Sequence, residues 1–103
     1  MKPVQIYLGV PQTQKLPVYE SQQGQQTTIK QMILSNTVDV DAKLTVTINT
    51  IDIMKGLIVL SGETKVIDLS IVLNSTDRLF LQQEKENAIN VMINGVSELV
   101  TPQ

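Results

Sequence analysis

Histidine, cysteine and tryptophan are all missing from the 103-residue chain, and each absence removes a class of chemistry. Without histidine or cysteine the common nucleophile–base pairs of triads and thiol enzymes cannot be built. Without cysteine there is also no disulfide framework, which fits synthesis in a reducing cytoplasm and equally fits a particle assembled there. The only rings are Tyr7, Tyr19 and Phe80, and no cluster of lysine or arginine accompanies them. Nucleic acid is therefore not an expected partner, because a binder needs a basic stripe and stacking aromatics.

Charge of one sign is scarce as well. Eight Lys and Arg are mixed among ten Asp and Glu for a net charge of −2, so no block of like charge generates a directional field. No apolar run approaches the ~20 residues of a membrane helix. Val4 to Val10 is broken by Gln5 and Gly9 and stopped by Pro11, too short and too polar for a secretory core. Neither membrane insertion nor an export signal is expected.

What the chain does contain is aliphatic. Hydrophobic residues make up 42% of it against 3% aromatic, so the core is expected to be Ile, Leu, Val and Met in thin pleated layers. A chain of this length makes one domain that buries roughly 60–70% of the surface its unfolded form exposes. Residues 1–15, with Pro3 and Pro11, read as an N-terminal arm, 16–99 as the folded domain and 100–103 as a frayed tail.

Within the domain the period is two. Leu16-Pro17-Val18-Tyr19 reads as a short edge strand, where the proline faces no ladder partner. The glutamine-rich tract Ser21 to Gln26 reads as a solvated turn around Gly24. Thr27 to Ser35 is a buried strand in which Ile29 is out of phase with Met32 and Leu34, so either both faces are covered or a bulge shifts the register. In Leu44 to Ile48, Leu44, Val46 and Ile48 are expected inside, with Lys43, Thr45, Thr47 and Asn49 in solvent. Lys55-Gly56 reads as a turn between two apolar runs, Ile51 to Met54 and Leu57 to Leu60; a helix over Ile51 to Leu60 is the main competitor, opposed by Gly56 and β-branched residues. Ile67, Leu69 and Ile71 alternate with Asp68 and Ser70, Asn74 to Asp77 supplies turn acceptors, Leu79 and Leu81 share a face, and Glu84 to Asn87 leads into a last strand from Ala88 to Val96. Turns every 10–15 residues or so predict an all-β fold, an antiparallel β-sandwich, Ig-like or jelly-roll-like, of about seven strands.

Candidate chemistry is thin. Asp39 and Asp41 could act as an acid–base pair or contribute oxygens to Ca²⁺, but two carboxylates two residues apart fall short of six to eight ligands, and a charged loop tip is the simpler reading. Asn74-Ser75-Thr76 matches a glycosylation acceptor but reads as turn chemistry, and Ser61-Gly62-Glu63-Thr64 lacks the glycines and lysine of a phosphate loop. No catalytic residue, metal or cofactor is assigned.

Four stretches together resemble a pattern in small tailed-bacteriophage virion proteins: Thr27-Thr28-Ile29-Lys30-Gln31-Met32-Ile33-Leu34-Ser35-Asn36-Thr37, Leu60-Ser61-Gly62-Glu63-Thr64, Ile71-Val72-Leu73-Asn74 and Ala88-Ile89-Asn90-Val91-Met92-Ile93-Asn94-Gly95-Val96. The resemblance spans about residues 16 to 98. It implies a β-sandwich module with a structural, non-enzymatic role in a virion, made in the host cytoplasm and placed as a head decoration, head fibre, neck or tail-associated part. Its partners would be capsid, neck or tail subunits and further copies of itself in a homo-oligomer. Candidate contacts are Val4, Ile6, Tyr7 and Leu8 of the arm, and Asn90, Met92 and Asn94 on the outward face of the last strand. The alternative is a receptor- or carbohydrate-binding sandwich on a phage tail or cell surface, for which three scattered rings offer little sugar stacking.

Overall fold

The computed structural model describes residues 2–100, and all regular structure among them is strand. Eight strands follow one another: β1 (Lys2–Gly9), β2 (Leu16–Glu20), β3 (Gln25–Asn36), β4 (Ala42–Ile48), β5 (Ile51–Val59), β6 (Thr64–Leu73), β7 (Arg78–Gln83) and β8 (Ile89–Leu99). They form two four-stranded antiparallel sheets, one ordered β1-β8-β3-β6 and the other β2-β7-β4-β5. Every connection but one carries the chain from sheet to sheet. The exception is the β4–β5 hairpin, where Ile48 faces Ile51 across Asn49 and Thr50. This strand order is that of a jelly roll, two Greek keys wound together, and it decides between the two sandwich types that periodicity left open.

The core lies between the sheets. Ile29, Met32 and Leu34 of β3 and Ile89, Val91 and Ile93 of β8 meet Leu44 and Val46 of β4 and Leu79 and Leu81 of β7. The phase problem in the β3 segment is a bulge: the register shifts between Ile29 and Gln31 against both neighbours, leaving exposed Lys30 over against β8, while against β6 the single Lys30 stands opposite Leu69 and Ser70. One added residue turns Ile29 inward while Gln31 faces out, which keeps both ends of a twelve-residue strand on the same core.

Three expectations are corrected. The segment read as an arm is β1, paired along its length with β8, and Ile6 is only 6% exposed in the core. Its alternation is hidden because the register shifts between Gln5 and Tyr7, so Val4, Ile6 and Tyr7 all pack on the core while Gln5 and Leu8 face out. Lys55-Gly56 is not a turn but a bulge inside β5: Leu44 faces Leu57 and Val46 faces Met54, with Gly56 at φ 67° and its N–H donating to Thr45 Oγ1 at 3.2 Å. Glycine reaches this left-handed conformation without a Cβ penalty, so the strand continues. Thr47, expected in solvent, is 1% exposed, because its hydroxyl donates to Asp52 at 2.6 Å beside the Phe80 backbone partner. Of the segment read as a tail, Val100 donates its N–H to the Gly24 carbonyl at 2.8 Å, and residues 101–103 lie outside the described part.

Two positions are unusually constrained. Gln83 is fully buried at the end of β7, where its amide Nε2 donates to the Pro11 and Ile89 carbonyls and its Oε1 accepts from the N–H groups of Ala88 and Ile89. Its own N–H donates to the Gln12 carbonyl at 3.0 Å. Gly95 in β8 leaves room for the backbone of β3: a Cβ there would lie 2.0 Å from the Thr28 carbonyl oxygen and 2.8 Å from Ile6 Cδ1. Among the described residues no buried side-chain nitrogen or oxygen lacks a partner.

Gln83→Leu removes the amide while keeping most of its volume, and should lower unfolding free energy by about 2–4 kcal/mol in a urea titration, because the backbone groups it served stay buried. Gly95→Ala should cost about 1–3 kcal/mol by the same measurement, since the obstacle is backbone.

Candidate functional site

The jelly-roll register arranges the outer face of the β1-β8-β3-β6 sheet in rows. Leu8 faces Met92, Met92 faces Ile33 and Ile33 faces Val66, so one apolar row crosses all four strands. Its ends are open, with Leu8 65% and Val66 56% exposed. Two residues along β8, Gln5, Asn94, Gln31 and Asp68 form a polar row in which the Gln31 amide donates to Asp68 at 3.4 Å. On the other side of the apolar row Asn90, Ser35 and Thr64 form a second polar row. The face is an apolar stripe between two hydrogen-bonding stripes. Such a surface suits contact with a folded protein, where an apolar strip excludes water and amides fix orientation.

The seven candidate contacts divide by burial. Ile6 belongs to the core, and Val4 and Tyr7 pack on it, with burial holding the Tyr7 phenol above its ordinary value of 10.0. Leu8, Asn90, Met92 and Asn94 share the outer face, and the pairing of β1 with β8 brings them together. Ile33 and Val66 complete the row and were not singled out from sequence. Ile33 is hidden inside the unbroken run Met32-Ile33-Leu34, but Val66 carries a readable signal: it has the parity of Asp68 and Ser70, opposite to Ile67, Leu69 and Ile71.

Elsewhere the candidate chemistry is used for holding loops. The Asp41 carboxylate accepts the Ser61 N–H at 2.9 Å and so staples the β3–β4 connection to the β5–β6 turn. Among the described residues no group of three His, Cys, Asp or Glu is gathered to hold a metal ion. Asn74-Ser75-Thr76 interlocks with the glutamine-rich turn: the Asn74 side chain accepts from the Gln26 amide at 3.3 Å, Ser75 Oγ from the Gly24 N–H at 3.1 Å, and the Thr76 N–H reaches the Ser21 carbonyl. A groove of about 810 Å³ opens between the β1 and β2 edges, lined among others by Tyr19, Gln5, Gln22, Gln25, Glu20 and Glu98.

The Asp52 carboxylate, on the outer face of the β2-β7-β4-β5 sheet, holds its proton less tightly than usual. The Thr47 hydroxyl and the Lys15 ammonium at 2.9 Å hold it below the ordinary 3.8. A carboxylate so satisfied is a weaker base than a free one, and its geometry is that of a clamp: Lys15, in the β1–β2 crossing, is tied to β5.

No protein-family model matches the chain, and no curated protein matches it.

A lowered folded-state pKa stabilises above the unfolded value and ceases to do so as pH falls through the folded one. Part of the acid loss of stability below about pH 4 should therefore belong to Asp52, and Asp52→Asn should flatten that limb of a thermal-midpoint profile while leaving its slope near neutrality unchanged.

Proposed function

We infer that the protein is a non-enzymatic structural component of a bacteriophage virion, docking on capsid, neck or tail subunits. The observation that carries this reading is the striped outer face at Leu8, Met92, Ile33 and Val66 on a jelly-roll frame. Jelly rolls serve repeatedly as viral capsid and lectin domains, an analogy of fold that raises the prior without assigning a site. The strand and turn residues that resemble tailed-phage proteins point the same way. The contact is made by a surface rigid before binding, since β1 is part of the sheet and no arm has to order on contact.

A second reading rests on the groove between β1 and β2, where Tyr19 lies among amides and carboxylates in the manner of a sugar or receptor site. Binding on a glycan array that Tyr19→Ala abolishes would favour it over the virion role.

The virion reading is tested on particles. Mass spectrometry of separated heads and tails should find the protein in one of the two fractions, and its absence from both would refute the assignment. The double variant Leu8→Lys, Met92→Lys should fold with a near-unchanged melting temperature and be incorporated roughly tenfold less or worse, as expected when the centre of an interface is charged.

A further inference from the structure

Two open sheets leave four edges, on β1, β2, β5 and β6, and an uncovered edge is a template for another strand. Three of them are blunted. β1 carries Pro3 and a register shift at Ile6, β2 is five residues long with Pro17 and a shift of its own, and β5 is shifted twice against β4 around Gly56. β6 is different. Its ten residues include no proline or glycine, and exposure alternates unbroken from Thr64 to Val72, although between Asp68 and Ile71 it runs one residue longer than β3. Of its two charged residues, Lys65 is turned aside to donate to the Ile58 carbonyl at 2.8 Å. Val66 and Val72, 47% exposed, stand on the outer face, and the adjacent β5 leaves Ile53 and Ile58 uncovered.

We propose that β6 pairs antiparallel with β6 of a second copy about a two-fold axis at Leu69, joining the two β1-β8-β3-β6 sheets into one continuous sheet.

The occupant follows from the sequence of the strand. Residues facing each other across an antiparallel pair lie on the same face of the sheet, so only registers centred on a residue qualify. Centring on Asp68 sets two carboxylates directly opposite, which is unfavourable. Centring on Ile67 places Val66 against Asp68, and centring on Ser70 places Val72 against Asp68. Centring on Leu69 matches the stretch from Val66 to Val72: Val66 faces Val72, Ile67 faces Ile71, and the Asp68 carboxylate faces the Ser70 hydroxyl. The strand is its own complement, as an isologous dimer requires. The pairing is independent of the virion reading, whose test variants lie on β1 and β8.

Cysteine is absent from the chain, so introduced thiols report the register without background. Facing residues have Cα atoms about 4.5–5.5 Å apart, within the span of a disulfide. Under mild oxidation L69C should form a covalent dimer. A mixture of V66C and V72C chains, both at exposed positions, should cross-link, while neither forms a covalent dimer alone. By sedimentation equilibrium S70D should weaken dimerisation about tenfold, because it sets two pairs of like charges opposite Asp68, and S70K should strengthen it by a similar factor. L8K should leave the constant unchanged. A wild-type chain that stays monomeric at several hundred micromolar overturns the proposal. So does a dimer in which V66C and V72C fail to join, or one weakened equally by S70D and S70K.

Discussion

The buried amide of Gln83 is the interaction on which the winding depends. A jelly roll moves its chain between sheets at almost every connection, and each crossing exposes backbone groups that neither sheet can satisfy. Gln83 sits where two crossings meet, taking the Pro11 carbonyl from the β1–β2 passage and both N–H groups of Ala88 and Ile89 from the β7–β8 passage. One side chain with donors and an acceptor thus fastens the first passage to the last. Asn36 does similar work at the β3–β4 passage, donating to the Val40 and Val59 carbonyls at 2.9 Å while its oxygen accepts the Val38 N–H. Apolar matching holds the sheets face to face; these amides decide that the chain goes round in this order.

Much of the sheet structure was legible because strands with one dry face announce their period. Leu44, Val46, Leu79, Leu81, Ile89, Val91 and Ile93 are all buried where alternation places them. The anomaly at Ile29 was legible as an anomaly, and the bulge at Lys30 resolves it. What stayed hidden was hidden for physical reasons. β1 contains a proline and a bulge, so its alternation breaks after Gln5. Gly56 has the signature of a turn because turns and bulges ask the same positive φ of a residue. Gln83 gives no local sign at all, since its partners lie 72 and 6 residues away.

The outer stripe was half legible for a related reason. The outward parity of Asn90, Met92 and Asn94 is a property of β8 alone. That Leu8 lies beside Met92, and Ile33 beyond it, is a property of registers between strands far apart in the chain. Periodicity tells which face a residue is on; only pairing tells which residues share a row.

The central position of β8 has a consequence for how the protein comes into being. β8 lies between β1 and β3, yet it follows every other strand in the chain. While the chain is being synthesised, β1 has no neighbour in its sheet and β3 has only β6, so two ladders stand open until the last strand emerges. Folding of the sandwich therefore waits for β8 and then closes contacts between its first and last strands, the kind of topology that folds on a millisecond-to-second scale. During that wait the aliphatic strands are bare, which makes the rate of translation and the company of chaperones part of this molecule's physical chemistry.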